Sequence, residues 1–379
     1  MKIIYICNEY PPGYLGGIGS FTHTLATGMF QQGHQVSVVG SYSRLLAAHS
    51  ETVDGVRVIR LPGANSSGWN NLLSAYHFNR YIYTLVQEGS VDLIEGSEAS
   101  YWLYPFKKPH ARIIRMHGGH TYFRATLGQS PKVTRYFLEK ISFSNATDIC
   151  GVSRFVAEKT RALLKLKNRQ ITFIPNPVDI NLFSPRSEIK ETNGLILFIG
   201  TVSEKKGIRQ LIQAMPKIIN SIPSAQLVII GRDTRDPLTG NSYLLELRKE
   251  IPKNISAKIN FVGPVERNLL PGHLAQATVC VYPSHMEAMP IAWLEGMSMG
   301  KAVVASRTGP GPEIITDGEN GLLCDPYSPD SIAEKILLLM KDPDLRQRLG
   351  CNARTKAERE FSIDVLIQKN IDFYHRCLS

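Results

Sequence analysis

The sequence predicts an α/β protein with two Rossmann-like, doubly wound domains that face each other across a cleft. Short β-branched runs alternate with amphipathic helical patterns along the whole chain, an order that builds parallel sheets. The 379 residues exceed the usual size of one domain, and a stretch rich in proline and polar residues separates two such series near residues 174–193. Because ligands bind beyond the carboxyl ends of the strands in such sheets, the cleft is the expected site.

The first domain is predicted over residues 1–180. Alternating β-branched residues indicate strands at 3–7, 35–39, 56–61, 91–95, 112–116 and 148–152. Helical periodicity follows at 20–32, 71–88 and 154–166.

The second domain is predicted over residues 181–355 by the same alternation. Its strands are expected at 195–199, 226–230, 258–262, 279–282 and 302–305, and its helices at 208–219, 242–250, 267–275, 291–299 and 329–340. Residues 342–378 read as helical throughout. We expect residues 356–379 to form a helix that packs back on the first domain.

Composition excludes several classes of protein. The 43% hydrophobic content excludes wholesale disorder. The six cysteines form no CxxC pair, which argues against a zinc or disulfide scaffold and favours a reducing compartment. The apolar run at the N-terminus is too short for a signal peptide or a membrane span, so a cytoplasmic location is expected.

The positive charge is concentrated in the first half of the chain. The formal net charge is +10, and residues 1–180 hold 19 basic against 11 acidic side chains, whereas residues 181–379 hold 24 against 22. Such asymmetry indicates an anionic partner for the first half: nucleic acid, acidic lipid or a phosphorylated substrate.

Two loops of the first half are candidate ligand contacts. Glycines 13, 16, 17 and 19 precede the first predicted helix, where backbone N–H groups can approach an anion. His117 follows a strand and precedes Gly118-Gly119, a position from which the ring reaches beyond the strand end. The alternatives are a flexible connection and a structural histidine.

A third candidate lies between the first strand and helix of the second half. Lys205 and Lys206 precede the helix, where a cation can neutralise a diphosphate that also interacts with the helix dipole. Arg232 follows the next strand and is a further candidate cation at the same edge. The spacing is not that of a P-loop, and solvated lysines are the plainer interpretation.

The strongest motif is a pair of glutamates separated by seven residues. Pro290 is expected at the first helical position, so Glu287 precedes the helix and Glu295 lies more than a turn inside it. Two carboxylates so placed can hold opposite ends of one elongated ligand, with helix N-terminal amides between them for phosphate. The alternative is a helix-dipole role for Glu287 and a salt bridge for Glu295.

A further tight loop, or merely a turn, follows the strand after this helix at residues 306–313.

The order of these motifs resembles glycosyltransferase family 4. The resemblance covers essentially the whole chain and rests on Gly16-Gly17-x-Gly19, His117-Gly118, residues 174–179, Lys206-Gly207, Glu287-x7-Glu295 and residues 309–313. It implies the GT-B fold, a nucleotide-diphosphate sugar as donor, retention of anomeric configuration, and neither metal nor other cofactor.

The resemblance also implies a role for each site residue. Glu295 would bind the ribose, Glu287 the transferred sugar and Lys206 the diphosphate, while His117 would lie beside the reacting face of the sugar. His117, Glu287 and Lys206 form the expected catalytic set. The expected donor-binding set is Gly16, Gly17, Thr201, Lys206, Arg232, Val265, Glu287, Ala288, Met289, Ile291 and Glu295.

Two positions depart from the family pattern. Thr201 stands where relatives commonly carry arginine, and Lys205 and Arg232 are the candidates to compensate. Pro290 lies in a segment where many relatives have glycine, and its missing N–H reduces the amides offered to the ligand.

The resemblance implies that the first domain, residues 1–180, binds the acceptor of the sugar. The acceptor is expected to be a glycan or a polyprenyl or other lipid-linked molecule. Aromatic residues interleaved with cations in the first half are compatible with an anionic membrane surface, with a phosphorylated soluble acceptor, or with a solvated basic face. These residues are Trp102, Tyr104, Phe106, Lys107, Lys108, Arg112, Arg115, Arg124, Lys132 and Arg135.

Two other functions remain compatible with the sequence. A sugar-nucleotide epimerase on the same scaffold would consume donor without acceptor. A non-enzymatic basic protein would bind nucleic acid, although recognition motifs for nucleic acid are missing. An NAD-dependent oxidoreductase is disfavoured because the glycine fingerprint is incomplete at Thr22.

Overall fold

The structure is a computed structural model, and its chain divides into two compact units. It describes residues 1–12, 16–43, 45–63, 69–89, 91–104, 107, 109, 111–167, 169–235 and 239–379. The first unit comprises Met1–Pro177 and Ile363–Ser379, and the second unit comprises Val178–Ser362. These boundaries differ by three and seven residues from the predicted ones, because Val178 pairs with Ser362 and its N–H donates to the carbonyl of Phe361 at 2.8 Å.

The first unit is built on an eight-stranded sheet in the order β3-β4-β2-β1-β5-β6-β7-β8. Its strands are β1 (Lys2–Ile6), β2 (Gln35–Tyr42), β3 (His49–Val53), β4 (Val56–Pro62), β5 (Leu93–Gly96), β6 (Ala111–Met116), β7 (Asp148–Gly151) and β8 (Thr172–Phe173). Its helices include α1 (Gly17–Gln31), α2 (Trp69–Gly89), α3 (His120–Thr126), α4 (Val133–Asn145) and α5 (Arg154–Leu164). All pairings are parallel except β3 with β4.

The second unit is built on a six-stranded parallel sheet in the order β11-β10-β9-β12-β13-β14. Its strands are β9 (Leu195–Ile199), β10 (Gln226–Ile230), β11 (Ile259–Gly263), β12 (Val279–Tyr282), β13 (Val303–Ser306) and β14 (Leu322–Cys324). Its helices are α6 (Ile208–Ser221), α7 (Tyr243–Glu250), α8 (Leu270–Gln276), α9 (Ile291–Ser298), α10 (Gly311–Ile314), α11 (Pro329–Lys341) and α12 (Pro343–Lys356).

The C-terminal segment is not one continuous helix, as the sequence had predicted. A π-helical turn at Ala357–Phe361 follows α12, and Ser362 is extended before α13 (Ile363–Leu378) begins. Helix α13 belongs to the first unit, where it packs against α1. Helix α12 therefore belongs to the second unit and helix α13 to the first.

A buried ion pair joins α13 to the first sheet. Arg115 on β6 donates to Glu95 on β5 at 2.6 and 2.9 Å, and both side chains are at most 3% exposed. Asn370 and Tyr374 of α13 complete the network: Arg115 donates to the Asn370 amide oxygen at 2.5 Å, and the Tyr374 hydroxyl donates to Glu95 at 2.8 Å. Since an unpaired buried charge is strongly destabilising, this network holds α13 on the sheet.

The cysteines are present as free thiols. All six are free, and Cys7, Cys150, Cys280 and Cys324 are buried. Among the described residues, no three His, Cys, Asp or Glu side chains form a group suited to a metal ion.

Candidate active site

The strand order of the second unit defines a switch point. Strand β9 is flanked by β10 on one side and β12 on the other. The connection after β9 leads to β10, toward one edge of the sheet, and the connection after β12 leads to β13, toward the other edge. A crevice opens beyond the carboxyl ends of the two strands at such a point, and ligands of doubly wound sheets bind there. The loop after β9 carries Lys206, and the loop after β12 carries Glu287.

Lys206 and Glu287 meet at this switch point. The Lys206 Nζ lies 2.5 Å from Glu287 Oε1, and the Ser284 hydroxyl donates to the same oxygen at 2.7 Å. The side chains of Lys206 and Glu287 are 19% and 13% exposed, so the pair is shielded but accessible. The structure therefore brings together two residues that stand 81 positions apart and that the sequence had singled out separately.

Gly207 makes this approach possible. It has φ +67° as the residue before α6, and a Cβ at this position would collide with the carbonyl oxygen of Pro283. Only glycine adopts this left-handed conformation readily while leaving room for a neighbouring backbone. The loop after β9 is thus packed directly against the loop after β12.

Further cations surround the pair. Burial lowers the pKa of Lys205, and the positive charges of Lys206 and Arg232 lower it further, while Glu287 opposes the shift. Thr201, directly after β9, contributes no charge here. Of the two candidates for compensating its missing positive charge, Lys205 interacts electrostatically with Lys206 and Glu287, and Arg232 interacts with Lys205.

The loop after β12 is fixed by neighbouring polar groups. The Thr308 hydroxyl donates to the carbonyl of His285 at 3.2 Å, and the His285 ring stacks on Tyr327 with 4.5 Å between centroids. Glu287 and Ala288 are half-buried, whereas Met289 is buried.

Helix α9 begins at Ile291, as in the predicted range 291–299, and the expectation that Pro290 is its first residue is wrong. Pro290 has extended backbone angles (φ −77°, ψ 113°) and precedes the helix, so Ile291 is the first helical residue. The first helical amide is therefore that of Ile291, and the missing N–H of Pro290 lies outside the helix.

Glu295 is a second carboxylate on the inner part of this helix. It is 5% exposed, and Arg267 donates to its Oε1 at 3.4 Å. Burial raises the pKa of Glu295, and the charge of Arg267 opposes that rise. Arg267 is not among the predicted site residues. It directly follows residues 263–266, and Val265 in that stretch is half-buried. The position of Arg267 after β11 was the available signal.

In the first unit, Gly16 and Gly17 form the start of α1. A Cβ on Gly16 would collide with the Glu9 carboxylate, and Glu9 accepts a hydrogen bond from the N–H of Gly19 at 3.4 Å. A side-chain carboxylate thus already occupies part of this helix N-terminus, whereas the space around Gly17 is open. The predicted contact at Gly13 lies outside the described residues.

His117 directly follows β6 in the same unit. Its ring packs edge-on against Phe21 of α1, with 4.7 Å between centroids. Burial lowers the pKa of His117 to about 3, and the charge of Arg115 adds to this effect. The ring is therefore neutral at neutral pH and can accept or donate a hydrogen bond without carrying charge.

Two buried glutamates support the His117 loop. Glu98, after β5, is buried near the backbone N–H groups of His117 and Gly118, which act to lower its pKa, and Glu139 of α4 accepts a hydrogen bond from Thr121 N at 3.1 Å. Each glutamate is 3% exposed. Burial raises the pKa of Glu98 to about 8, and the charge of Glu139 contributes to the rise. Neither glutamate was singled out from the sequence.

Stability is expected to fall between about pH 5 and pH 8 because of Glu98. The folded chain keeps the Glu98 proton up to about pH 8, whereas the unfolded chain loses it near the ordinary glutamate pKa of 4.5. The folded state then binds more protons than the unfolded state, so the unfolding free energy decreases as the pH rises, by on the order of a few kcal/mol. Urea unfolding at pH 5.5 and 8 measures this decrease. Glu98→Gln should reduce it and exposed Glu88→Gln should not; an unchanged pH dependence in Glu98→Gln contradicts the assignment.

The aromatic and basic residues of the first half do not form one surface. Tyr104 is buried, Arg115 belongs to the buried ion pair, and Arg112 donates to the backbone carbonyls of residues 107, 109 and 145. Phe106 and Lys108 lie outside the described residues. Tyr104, Arg112 and Arg115 are therefore not available to any of the three partners considered for these residues, namely a membrane, a phosphorylated acceptor or solvent, whereas Lys132 and Arg135 are exposed.

Two models of protein families match the two halves of this chain. The sequence model described as Glycosyl transferases group 1 matches residues 179–356, and the one described as Glycosyltransferase Family 4 matches residues 15–182. An uncharacterized glycosyltransferase of Methanocaldococcus jannaschii is 27% identical over 99% of this chain and 98% of its own length.

Two solved structures are similar over nearly the full chain. Sucrose-phosphate synthase from Thermosynechococcus elongatus has a TM-score of 0.84 at 22% identity, covering 99% of this chain and 98% of its own. HepE from Anabaena in complex with UDP-glucose has a TM-score of 0.77 at 16% identity, covering 99% and 100%. With two parallel-sheet units of this kind, the protein is a GT-B-type glycosyltransferase. The chain belongs to glycosyltransferase family 4.

Proposed function

We propose that the chain transfers a sugar from a nucleotide-diphosphate donor to a hydroxyl of a glycan or lipid-linked acceptor, with retention and without a metal ion. Such a reaction belongs to polysaccharide or glycolipid biosynthesis. The observation that carries the proposal is the Lys206–Glu287 pair, joined at 2.5 Å at the switch point of the second sheet.

The donor is proposed to lie along the segment from Glu287 to Glu295. Glu287 binds hydroxyls of the transferred sugar, and buried Glu295 binds the ribose hydroxyls with Arg267 holding its carboxylate in place. Ala288, Met289 and Ile291 line the stretch between them, and Val265 contacts the base. The solved complex of HepE with UDP-glucose supports a nucleotide sugar as ligand. Uridine, guanosine and adenosine nucleotides all remain open as donors.

Lys206, Lys205 and Arg232 are proposed to stabilise the departing diphosphate. The leaving group gains negative charge as its bond to the sugar breaks, and fixed cations in a shielded site stabilise that charge. The clustered positive charge around Lys206 supports metal independence because it can perform the role that a divalent cation has in other transferases.

Retention is proposed to arise from attack on the same face of the sugar. Membership of family 4 supports this stereochemistry. In our hypothesis, the bond between the anomeric carbon and the diphosphate breaks as the acceptor oxygen bonds to that carbon from the same face. A phosphate oxygen of the leaving diphosphate takes the proton of the acceptor hydroxyl. Membership of family 4 also assigns donor roles to His117, whose ring is neutral at neutral pH, and to Gly16 and Gly17.

The test combines a donor screen with product analysis. Thermal shift with UDP-, GDP- and ADP-sugars selects the donor, and lipid extracts and oligosaccharides are then offered as acceptors. We expect a product with the anomeric configuration of the donor by proton NMR, at a rate that EDTA leaves unchanged. An inverted product contradicts retention, loss of activity in EDTA contradicts metal independence, and donor conversion without acceptor favours an epimerase.

A further inference from the structure

His285 is a buried histidine in the loop that carries Glu287. It lies between β12 and α9, two residues before Glu287, and its exposed fraction is 8%. Its ring Nε2 donates to the side-chain oxygen of Gln210 on α6 at 3.1 Å. The face of the ring stacks on Tyr327, which follows β14, with 4.5 Å between centroids and 22° between the ring planes. The ring thus fastens the loop to α6 and to the segment after β14.

The backbone of His285 makes two further contacts with neighbouring loops. Its N–H donates to the carbonyl of Lys205 at 2.9 Å, and its carbonyl accepts a hydrogen bond from the Thr308 hydroxyl at 3.2 Å. Lys205 directly precedes Lys206, so His285 joins the loop after β9 to the loop after β12 beside the Lys206–Glu287 pair.

The His285 ring adds no charge to this site at neutral pH. Burial lowers the pKa of the ring, whereas the charge of Glu204 and the backbone of Pro326 act to raise it. A neutral imidazole has one N–H, and the contact with Gln210 is then a hydrogen bond between two uncharged groups. His285 therefore influences Lys206 and Glu287 through geometry rather than through charge.

We propose that His285 is a positioning residue for sugar transfer, whose ring keeps Glu287 in the orientation that binds the transferred sugar. Ser284, the residue directly before His285, donates to Glu287 Oε1 at 2.7 Å, so a shift of His285 would move both the carboxylate and its donor. Misplacement of a binding group by about 1 Å can cost about a hundredfold in rate. The inference rests on the proposed function and deepens it, because it names the group that fixes the sugar-binding carboxylate.

The alternative role of His285 is to stabilise the second unit without affecting the reaction. A buried, hydrogen-bonded ring contributes to stability wherever it occurs. A residue that only stabilises the fold changes the fraction of folded molecules, but it leaves the activity of the folded ones unchanged. Its replacement would also lower the rate by the same factor whether or not Glu287 is present.

His285→Ala is expected to lower kcat/KM for transfer by about tenfold to a hundredfold. The substrate is the UDP-, GDP- or ADP-sugar that thermal shift selects, and rates are expressed per folded molecule after thermal unfolding. The Kd of the corresponding nucleoside diphosphate should stay within about threefold of the original, because Glu287 is proposed to bind the sugar and not the diphosphate. A rise in this Kd that matches the loss of kcat/KM overturns the proposal.

A double-mutant cycle with Glu287→Gln separates positioning from stability. In the Glu287→Gln chain, His285→Ala should lower kcat/KM further by less than about threefold, because the carboxylate that His285 positions is already absent. If His285→Ala lowers kcat/KM by equal factors in the original chain and in the Glu287→Gln chain, the proposal is wrong.

His285→Gln is the conservative variant, because its amide nitrogen can donate to Gln210 from about the place of Nε2. It is expected to keep kcat/KM within about threefold to fivefold of the original chain. The matched control is His273→Ala, which changes a half-buried histidine of α8 in the same unit and should leave kcat/KM unchanged. A His285→Gln chain as impaired as His285→Ala contradicts the role of the hydrogen bond to Gln210.

Hydrogen–deuterium exchange of the free protein tests the positioning without any substrate. His285→Ala is expected to accelerate exchange at least about tenfold in peptides covering residues 284–289 and 203–210, and to leave strand β10 unchanged. Unchanged exchange in residues 284–289 overturns the inference, and so does acceleration throughout the second unit, because His285 would then stabilise the whole unit. If the original chain transfers no sugar, the proposed function fails instead, and the exchange experiment still decides whether His285 fixes the loop.

Discussion

Glu287→Gln is expected to lower kcat/KM for sugar transfer by about a thousandfold. Glu287 is proposed to bind hydroxyls of the transferred sugar, and a charged partner aligned with the reacting group contributes most in the transition state. Nucleoside diphosphate alone should bind at least as tightly as before, because Lys206 loses the carboxylate now 2.5 Å from its Nζ. Initial rates with the selected donor and isothermal titration with the diphosphate measure both effects.

The matched control is Glu319→Gln, which changes an exposed carboxylate of the same unit and should leave both quantities unchanged. A Glu287→Gln enzyme with kcat/KM within tenfold of the original contradicts the proposed role. A large loss of diphosphate affinity in that variant also contradicts it, because Glu287 would then contact the nucleotide rather than the sugar.

Lys206→Met is expected to weaken both diphosphate binding and catalysis. A charge-assisted hydrogen bond to phosphate is worth about 1.5–3 kcal/mol, which corresponds to a tenfold to hundredfold increase in Kd. The reduction in kcat/KM should be larger, about a hundredfold to a thousandfold, because the leaving group carries more charge in the transition state than in the ground state. Titration and initial rates give the two numbers.

Exposed Lys249→Met provides the control for loss of one positive charge in the second unit. If Lys206→Met changed Kd and kcat/KM by equal factors, Lys206 would contribute binding but no specific stabilisation of the transition state. If neither changed, Lys205 and Arg232 would carry the diphosphate and the assignment of Lys206 would be wrong.

The fold could be predicted from the sequence because strand and helix periodicities are strong in parallel sheets. All eleven predicted strands are present, with bounds shifted by a few residues. Strand β3 was not predicted because His49–Val53 is polar and mostly exposed at the sheet edge. Strands β8 and β14 were not predicted because they span only two and three residues. Helix α4 was not predicted because the apolar residues of this helix lie on both its buried and its exposed sides.

The end of the chain shows why some boundaries could not be predicted. Residues 342–378 have uninterrupted helical periodicity, and the break at Ser362 depends on its pairing with Val178, 184 positions earlier. Local periodicity does not contain such a contact. The buried network of Arg115 with Asn370 and Tyr374 is equally non-local, and it changes an arginine from a predicted surface cation into part of the core.

The site could be predicted in part. Lys206 and Glu287 follow strands, and the switch point explains why their loops meet. Strand and helix periodicity does not indicate the partners that hold the carboxylates, such as Ser284 for Glu287 and Arg267 for Glu295. Ser284 lies three residues before Glu287 in the same loop, whereas Arg267 reaches Glu295 from the segment after β11, 28 positions earlier.

The central claim is that the loops after β9 and β12, with α9, hold the nucleotide sugar. Hydrogen–deuterium exchange with and without the selected donor tests it most directly. We predict that donor binding slows exchange in peptides covering residues 200–207 and 284–297, and that Glu287→Gln with Glu295→Gln abolishes this protection. Protection confined to other parts of the second unit, or unchanged in the double variant, would contradict the account.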